Sequence, residues 1–505
     1  MVLKEGSGAC LSGAFSAHGF PKRVYFVGIK GTGMCALAEL IHNSGVMVSG
    51  SDCNEVFYTD AILHELGIPF FEFFDASHIE AGESAPELLM YSAAYSPETN
   101  PEISEAQKRG IPVQKFTDAL GTYSQFFDSA AVAGVHGKTT TTALAGTLLK
   151  GVAAPAQVLA GSAVSSFGGR STLVLGDKYF VAETCEYKRH FLSFHPRRIL
   201  LTSIESDHQD YYPAYDDIFK AFMEFLRKLP DDGELIYCAN DSGAAEAALA
   251  LKAEKPGVKI VPYGFGAAGE AGIEKYEIKN ERIVMRLRGF DSELKLRIPG
   301  RHTALNTAGA MALVSSILRQ EYGNNCWNDD RREGAIKALE DFRGSARRSE
   351  ILGEAGDILF MDDYGHHPTA IITTLAGLKE FYPGRRLVVS FMSHTYTRTA
   401  ALLDEFAASF GLADIVLFHK IYSSAREMYN GGVTGRTLFE KAKNLCSGES
   451  CGSGQVFYEE EPDNAFDLVK ALLKSGDLFI TMGAGNNWTL GKKLFNYYRE
   501  ADRRA

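Results

Sequence analysis

Glycines, a lysine and several threonines from Gly134 to Thr142 form the stretch with the clearest chemistry in this sequence. Glycines let backbone N–H groups close around phosphate oxygens, the Lys138 ammonium adds a positive charge, and the Thr139 hydroxyl can hold Mg²⁺. Small apolar residues precede the stretch and residues 142–149 have helical composition, which predicts a strand, a phosphate loop and a helix. Val132 stands where the usual motif has its first glycine, so a glycine turn with a chance Lys-Thr pair is the alternative.

Acidic and imidazole side chains follow two further predicted strands of this region. One apolar run ends at Glu183, and a second, starting at Ile199, delivers Glu205, Asp207 and His208. Ligands bind at the carboxyl ends of strands in open α/β sheets, so Glu183 and His208 could hold a second Mg²⁺ between ATP and an acidic substrate. Taken alone, each of these side chains is more typical of a solvated surface.

Two polar clusters follow predicted strands in the last third of the chain. They are DDYGHHP at 362–368 and SHTYTR at 393–398, and their density of carboxylate, imidazole and guanidinium groups predicts a functional site. Earlier in the chain, His302 and Asn306 lie four residues apart and would share one face of a helix capped by Thr303. An ordinary capped helix with polar residues is the alternative for that pair.

A glycine turn near the N-terminus has the pattern of a nucleotide site. Gly28, Gly31 and Gly33 lie between a predicted strand and a helix, and Asp52 ends the next strand about twenty residues later. The spacing is G-x-x-G-x-G rather than G-x-G-x-x-G, which favours a nucleotide diphosphate over a dinucleotide. A purely structural turn is the alternative.

The elements that must position these groups form three domains. A length of 505 residues predicts about three domains at roughly 150 residues each, and alternating strands and helices predict an α/β fold. We predict a loose extension over 1–20, a Rossmann-like domain over 21–124, a central phosphate-loop ATPase domain with a mainly parallel sheet over 125–345, and a Rossmann-like domain over 346–505. Within the central domain, short alternating runs over 258–299 predict an antiparallel insertion.

Composition excludes several classes of function. The net charge of −11 argues against a general nucleic-acid binder, so a polyanion would be held by a few cations and Mg²⁺. The eight cysteines are dispersed without a C-x-x-C pair, which favours reduced thiols in a cytoplasmic protein. No apolar run approaches the ~18 residues of a membrane span, and the first twenty residues lack the pattern of a signal peptide.

Six motifs in consistent order carry a family resemblance from about Val24 to the C-terminus. They are GIKGTGM at 28–34, SGSD at 49–52, GVHGKTTTT at 134–142, ETCEY at 183–187, DDYGHHPT at 362–369 and FMSHTYTRT at 391–399. They resemble the G-I-G-G-x-G-M, S-G-S-D, G-T-H-G-K-T-T-T-T, E-A-C-E-Y, D-D-Y-x-H-H-P-T and F-x-P-H-x-Y-x-R-T motifs of the Mur ligase family. Any one could be chance, but the ordered set is specific.

The resemblance implies both architecture and reaction. An N-terminal domain would bind a UDP-sugar, a central domain ATP, and a C-terminal domain an amino acid. ATP would phosphorylate the carboxylate of UDP-N-acetylmuramate, and the amine of L-alanine would attack the acyl phosphate to give an amide, ADP and phosphate in peptidoglycan precursor synthesis. The partners would be these small molecules, with no nucleic acid or membrane, and the enzyme would be a monomer or homodimer.

The resemblance also implies a role for each matched residue. The groups expected to bind ATP are Gly134, His136, Gly137, Lys138, Thr139 and Thr140, with His302 and Asn306 at adenine, Asp363 at the ribose and Arg348 at the phosphates. The expected metal ligands are Thr139, Glu183 and His208. The expected sugar-nucleotide contacts are Gly28, Gly31, Gly33, Ser51, Asp52 and Ser92. The expected catalytic set is Lys138, Glu183, His208, His366 and Arg398.

For the amino acid, physical arguments join the resemblance. A free carboxylate calls for a fork of donors, which Arg398 can supply. His366 and His394 could orient the incoming amine, and either could accept its proton. Tyr364 would shape the pocket for the small side chain.

Four departures from the family motifs bear on these roles. Lys30 replaces a glycine and would either add a phosphate contact or obstruct one, and Val135 stands where threonine is usual. Thr395 stands where some members carry a second arginine, so the alanine carboxylate would rely on Arg398 alone. Residues 392–393 replace the usual Gln-Pro.

Other functions compete with this interpretation. A related ligase adding a different amino acid, or a whole peptide to the same sugar nucleotide, would need a different acceptor pocket. A folate-polyglutamylating ligase would lack the N-terminal glycine-turn domain. A non-catalytic nucleotide-binding regulator predicts the loss of Lys138, Glu183 or His208, and all three are present.

Overall fold

The computed structural model describes residues 19–79, 82–209, 211–423, 429, 431–446 and 455–504. Within them the chain forms three sheets of five, ten and six strands. Each sheet lies within one of the three predicted domain ranges. The predicted three-domain α/β fold is confirmed, and the domain boundaries stay predictions. The predicted loose extension lies outside the described residues, apart from Gly19 and Phe20.

The N-terminal sheet is parallel throughout, with the order β3-β2-β1-β4-β5. Its strands are β1 (Arg23–Val27), β2 (Met47–Ser51), β3 (Phe70–Phe71), β4 (Leu88–Tyr91) and β5 (Val113–Lys115). Its helices are α1 (Thr32–Asn43), α2 (Tyr58–Glu65), α3 (Pro101–Lys108) and α4 (Phe116–Ser124). The central strand β1 is an almost unbroken apolar run because both of its faces are buried.

The central domain has a ten-stranded sheet with the order β15-β14-β13-β12-β11-β10-β6-β9-β7-β8. Its strands are β6 (Asp128–Ala133), β7 (Ala156–Val164), β8 (Arg170–Val174), β9 (Tyr179–Glu183), β10 (Arg198–Leu201), β11 (Glu234–Cys238), β12 (Lys259–Phe265), β13 (Gly272–Ile278), β14 (Ile283–Leu287) and β15 (Phe290–Leu296). Its helices are α5 (Lys138–Gly151), α6 (Tyr215–Leu226), α7 (Ser242–Glu254), α8 (Arg301–Tyr322) and α9 (Asp329–Asp341). The strand β6, which precedes the phosphate loop, lies between β9 and β10, so the loop opens beside the ends of both.

The antiparallel strands predicted over 258–299 are present as β13 to β15, but they extend the main sheet through β12, which pairs in parallel with β11. The prediction of a helix cap is wrong. Thr303 does not cap α8, whose N-cap is Gly300. The Thr303 hydroxyl is buried and donates to the carbonyl of Pro299 at 2.9 Å, because the helix begins one turn earlier than predicted.

The C-terminal sheet has the order β16-β17-β21-β18-β19-β20 and is parallel except for β16. Its strands are β16 (Glu350–Ala355), β17 (Ile358–Asp363), β18 (Arg386–Met392), β19 (Ile415–Phe418), β20 (Gln455–Tyr458) and β21 (Asp477–Gly483). Its helices are α10 (Pro368–Phe381), α11 (Tyr396–Ala401), α12 (Leu403–Ala408), α13 (Gly435–Cys446), α14 (Phe466–Leu472) and α15 (Trp488–Asp502). Both polar clusters predicted from the sequence follow neighbouring parts of this sheet, after β17 and β18.

Buried contacts join the three domains. One apolar cluster runs from α5 and α8 of the central domain into α10 and β18 of the C-terminal domain. A second joins α1 and α4 to β6, β10 and α6. On the N-terminal side, Glu39 of α1 accepts hydrogen bonds from Arg170 and Thr172 of β8. Among the described residues, no helix is long and apolar enough to cross a membrane.

Five cysteines with described side chains are free thiols: Cys35, Cys53, Cys185, Cys238 and Cys326. This agrees with the prediction of reduced cysteines for those five. The side chains of the other three, Cys10, Cys446 and Cys451, lie outside the described part of the structure.

Candidate active site

The phosphate loop has the predicted strand-loop-helix geometry. β6 ends at Ala133 and α5 begins at Lys138, with Gly134 and Gly137 at positive φ angles of 135° and 79°. These angles favour glycine, and a Cβ on Gly137 would lie 2.7 Å from Asn306 Oδ1. The first intrahelical bond runs from Thr141 N to Gly137 O, so the N–H groups of residues 138–140 point out of the helix end. This is an arrangement suited to phosphate.

The Lys138 ammonium lies among the carbonyls of the loop and beside Glu186. Its Nζ donates to Gly134 O at 2.5 Å, to Val135 O at 3.2 Å and to Glu186 Oε2 at 2.8 Å. Burial alone would lower the pKa of Lys138, but the Glu186 carboxylate, together with Cys185 and Glu183, outweighs it and the pKa lies above its usual value. Burial likewise opposes ionisation of Glu186, but Lys138 and His208 together outweigh it, so the pKa of Glu186 is lowered. The pair is therefore ionised at neutral pH.

Thr139 and Glu183 lie together at the start of α5 and the end of β9. Thr139 Oγ1 donates to Glu183 Oε1 at 2.9 Å, and Gly161 N donates to Glu183 Oε2 at 2.7 Å. A hydroxyl and a carboxylate are oxygen donors of the kind that Mg²⁺ prefers, so this pair fits the ion. The third expected ligand, His208, lies beside Glu186, with Nε2 3.5 Å from Oε1.

The groups expected around the nucleoside come from two domains. Asn306 lies on α8 against Gly137, and His302, one turn earlier on the same helix, is half-buried and packs over Gly300. Burial lowers the pKa of His302, and the Asp363 carboxylate only partly opposes that effect. Asp363, at the end of β17, accepts N–H groups of Ser349 and Gly365 at 2.6 Å each.

The two arginines before β16 have different partners. Arg348 lies over Tyr364, with its Cζ 5.3 Å from the ring centroid. Arg347 donates from Nε to Asp362 Oδ2 at 2.8 Å and from Nη2 to Gly483 O at 2.8 Å. Arg347 is thus used inside the C-terminal domain, which leaves Arg348 as the one that matches the expected phosphate role.

The groups expected to bind the amino acid meet the central domain at Asp207. Arg398 donates from Nε and Nη2 to Asp207 Oδ1 at 3.0 and 2.7 Å, and its Nη1 lies 3.0 Å from His394 Nδ1. Both partners of this ion pair are almost fully buried. Burial by itself would raise the pKa of Asp207, but the positive charge of Arg398, together with the nearby histidines 208, 366 and 367, outweighs it and lowers the pKa strongly. The expected fork for a substrate carboxylate is here engaged by a carboxylate of the protein.

His366 lies between Tyr364 and His394. Its Nδ1 is 2.7 Å from Tyr364 O, and its ring meets the His394 ring edge-on at 5.1 Å between centroids. Burial, with Arg398 nearby, lowers the pKa of His366 well below its usual value. His366 is therefore neutral at physiological pH and able to accept a proton.

The N-terminal glycine turn is closely packed. Gly28 has a φ of 81°, and a Cβ there would lie 2.8 Å from the Tyr95 ring and 2.9 Å from Ser92 Cβ. A Cβ on Gly33 would lie 2.9 Å from the Phe116 ring, and Gly31 N donates to Gly28 O at 3.2 Å. The turn therefore needs its glycines for space and conformation.

The polar residues near this turn hold it in place. Asp52 accepts from Lys30 N at 2.7 Å and from the Tyr95 hydroxyl at 3.2 Å, and Ser51 Oγ donates to Glu102 at 2.5 Å. The Lys30 ammonium is directed at the carboxylates of Asp60 and Glu72, at 3.3 and 3.4 Å. Its charge is met there by acidic side chains instead of being offered to a phosphate.

A cavity of about 290 Å³ lies between the N-terminal turn and the end of β9. Thr32 and Gly33 line it from the N-terminal domain, and Gly161 and Glu183 line it from the central domain. Because Glu183 also receives the Thr139 hydroxyl, the cavity ends beside the start of α5. One space therefore reaches from the N-terminal turn to the group expected to hold a metal.

Sequence reasoning gave no role to two residues that the site depends on. Glu186 pairs with Lys138, and Asp207 pairs with Arg398 across 191 positions. Glu186 lies in the quoted motif at 183–187, three residues after Glu183, and that proximity was the available signal. The sequence contains no such signal for the pairing of Asp207 with Arg398, because that contact depends on how two domains meet.

Three family models match the chain in order. The model described as "Mur ligase family, catalytic domain" matches residues 23–128, "Mur ligase middle domain" matches 132–314, and "Mur ligase, glutamate ligase domain" matches 347–485. The chain belongs to the Mur ligase family. The family membership predicted from the motifs is confirmed, and the three matched segments correspond to the three sheets.

Several curated Mur ligases are similar over nearly the whole chain. UDP-N-acetylmuramate--L-alanine ligase of Treponema pallidum (strain Nichols) is 48% identical over 478 residues, covering 95% of this chain and 97% of the relative. UDP-N-acetylmuramate--L-alanine ligase of Borreliella afzelii (strain PKo) is 35% identical over 468 residues, covering 92% and 97%.

Solved Mur ligase structures have the same fold. UDP-N-acetylmuramate-alanine ligase MurC from Thermotoga maritima aligns with a TM-score of 0.70 and 26% identity, covering 95% of this chain and 99% of the other. A murein peptide ligase from Psychrobacter arcticus aligns with a TM-score of 0.61 and 24% identity, covering 94% and 98%. The second similarity shows a shared fold only.

Proposed function

We propose that this protein is an ATP-dependent ligase that joins L-alanine to the carboxylate of UDP-N-acetylmuramate through an acyl phosphate. The observation that carries the proposal is the cavity between the N-terminal turn and Glu183. It extends from Gly33 of that turn to Glu183, which accepts the Thr139 hydroxyl at the start of α5, and a sugar nucleotide whose carboxylate reacts with ATP would need such a path. The relatives at 48% and 35% identity bear the name of this activity.

The first chemical step requires positive charge between two anions. A carboxylate approaching a triphosphate is repelled unless cations lie between them. Thr139, Glu183 and His208 would hold Mg²⁺, which when bound supplies charge neutralisation at the transferred phosphoryl group. Lys138 would turn from Glu186 to the phosphates, because its donors now rest on the loop carbonyls and on that carboxylate. The N–H groups at the start of α5 would hold the phosphates in position.

Closure of the C-terminal domain would complete the nucleotide site. We propose that His302 and Asn306 contact adenine, Asp363 the ribose and Arg348 the phosphates. Asp363 and Arg348 precede α10, while His302 and Asn306 lie on α8 of the central domain. Because the site takes groups from both domains, ATP would bind most tightly to the closed arrangement.

The second chemical step is attack by the alanine amine. His366 is neutral and would accept the proton released by the amine, with His394 orienting it. The described contacts of Arg398 use three of its five N–H donors, which leaves two for the alanine carboxylate. Tyr364, packed against His366, would limit the pocket to a small side chain.

The test is ADP release by purified protein with Mg²⁺, ATP and UDP-N-acetylmuramate, with each common amino acid and a tripeptide supplied separately. We expect L-alanine to give the fastest release. Release only with the tripeptide would keep the mechanism and replace the acceptor. No release with any acceptor would contradict the proposal.

A further inference from the structure

The side chain of His136, from the loop expected to bind ATP, converges with Glu205 and His367 where the central and C-terminal domains meet. His136 belongs to the phosphate loop through its backbone, Glu205 follows β10, and His367 precedes α10. His136 Nε2 lies 3.3 Å and His367 Nδ1 lies 3.1 Å from the same oxygen of Glu205, Oε1. One donor atom from each residue lies within 4.8 Å of the other two.

The contacts among these groups are poor hydrogen bonds. Among the described atoms, His136 Nε2 and both ring nitrogens of His367 are buried without a hydrogen-bond partner. His367 is only 6% exposed, so water does not readily replace the missing partners. Buried polar atoms nearly always have a hydrogen-bond partner, so an unpaired one calls for an explanation such as an absent water or ion. The two imidazoles point at one carboxylate but do not have hydrogen-bond geometry with it. A cation bound by all three groups would explain this arrangement.

The donor set and its spacing fit a transition metal. Two imidazoles and one carboxylate are a known ligand set of zinc, with a further position left open. Bonds of about 2.0–2.1 Å in tetrahedral geometry separate neighbouring ligand atoms by about 3.3 Å, which matches the two distances to Glu205.

A neighbouring hydroxyl orients one of the three side chains. The Thr369 hydroxyl donates to Glu205 Oε1 at 2.8 Å, while the backbone N–H of His136 donates to Ser203 Oγ at 3.0 Å and so holds the loop in place. Such supporting hydrogen bonds are typical of metal sites, where they fix the orientation of the ligands.

We propose that His136, Glu205 and His367 form a binding site for Zn²⁺ or a similar divalent transition metal, distinct from the Mg²⁺ site at Thr139 and Glu183. Two ligands lie in the central domain and one in the C-terminal domain. Metal binding therefore stabilises the closed arrangement of these domains by mass action. The ion acts as a clasp between the phosphate loop and α10.

The first experiment measures metal binding to chelator-treated full-length protein without nucleotide. Co²⁺ absorption in the visible range and calorimetric titration with Zn²⁺ are the readouts. We expect one Co²⁺ per chain with the absorption of a four- or five-coordinate ion, displaced by one equivalent of Zn²⁺. Absence of stoichiometric binding by the wild-type chain would overturn the proposal.

Variants test the ligand assignment. Glu205→Gln and His367→Ala should each weaken Zn²⁺ binding by at least about 100-fold, and Thr369→Val by about 10-fold. The control variants Glu183→Gln, in the Mg²⁺ site, and His195→Ala, an exposed histidine elsewhere, should bind Zn²⁺ like the wild type. Unchanged affinity in Glu205→Gln and His367→Ala would contradict the assignment. Circular dichroism of each metal-free variant checks folding, and the near-isosteric Glu205→Gln keeps the test valid if His367→Ala does not fold.

Small-angle scattering tests the clasp. Zn²⁺ should reduce the radius of gyration of the wild type and leave that of His367→Ala unchanged, whereas equal changes in both would refute a link between the domains. No measurement here uses substrate turnover, so these results are independent of the proposed ligase activity.

Discussion

The phosphate loop and the amino-acid side of the site are built in opposite ways. The loop is continuous in sequence, and Gly134, Gly137 and Lys138 are positioned by the strand and helix that immediately flank them. The amino-acid side depends on pairs far apart in sequence, such as Arg398 with Asp207 and Thr369 with Glu205. A local motif has its shape whether or not the domains meet, whereas the second region exists only when they close.

The largest effect is expected from a substitution in the phosphate loop. Lys138→Ala removes the only lysine in the loop, and we expect kcat for ADP release to fall by at least about 10³-fold, because the charge that offsets the phosphates is lost. Binding of UDP-N-acetylmuramate, measured by calorimetry, should persist. Lys150→Ala, at the exposed other end of α5, is the matched control and should stay near the wild-type rate. Normal turnover by Lys138→Ala would refute the phosphate-loop assignment.

The second prediction concerns the ion pair between Arg398 and Asp207 on the amino-acid side of the site. Arg398→Ala leaves Asp207 as a buried, unpaired carboxylate, and we expect the free energy of unfolding to fall by about 3–5 kcal/mol in urea titrations at pH 7. Arg227→Ala, which removes an exposed pair with Glu254, should cost no more than about 1 kcal/mol. Asp207→Asn in the Arg398→Ala background should restore part of the loss. If the double variant is no more stable than Arg398→Ala, the pair is not coupled.

This pair also has a defined pH dependence. The folded-state pKa of Asp207 lies below its unfolded value of about 3.9, so its stabilising contribution is complete above that pH and is lost as pH falls towards the folded-state pKa. The difference in stability between wild type and Arg398→Ala should therefore shrink below about pH 4.

In activity assays, the same substitution, Arg398→Ala, should raise KM for L-alanine far more than KM for ATP. Equal effects on both constants would argue against a role at the alanine carboxylate.

A smaller effect concerns stability, and it comes from a buried histidine of the C-terminal domain that lies outside the site. His419 lies between Ser390 Oγ and Glu459 O, at 2.8 Å each, and burial lowers its pKa to about 4. The unfolded chain takes up a proton near pH 6.5 and the folded chain does not, so stability should fall as pH drops from 6.5 to 4, by about 3 kcal/mol. His419→Gln should flatten this part of the stability profile. A profile with the wild-type slope would exclude His419 as its source.

The smallest effect is expected on KM for ATP, from a substitution of the carboxylate that pairs with Lys138. Glu186 holds Lys138 at 2.8 Å and competes with phosphate for it. Glu186→Gln should lower KM for ATP by about threefold to tenfold, because one negative charge is removed beside the triphosphate. Glu224→Gln, on the exposed face of α6, is the control. A fall in kcat without a lower KM would show that Glu186 takes part in the chemistry instead of competing with ATP.

The sequence by itself determined the local structures and the family. Apolar strands followed by glycines and a helical run predicted the turn at Gly28 and the loop at Gly134, because such short segments specify their own backbone geometry. The same reasoning placed Glu183 at the end of β9 and both polar clusters after strands of the third sheet. It failed at Thr303, where the helix begins earlier. Over 258–299 it predicted the antiparallel strands, but a local alternating pattern does not reveal which sheet those strands join.

Only the tertiary structure decided which charged groups face each other. The partners of Lys30, Lys138 and Arg398 are Asp60, Glu186 and Asp207, each from another element. The convergence of His136, Glu205 and His367 has the same origin. Electrostatic partners depend on distance in space and on burial, and neither is encoded in the spacing along the chain.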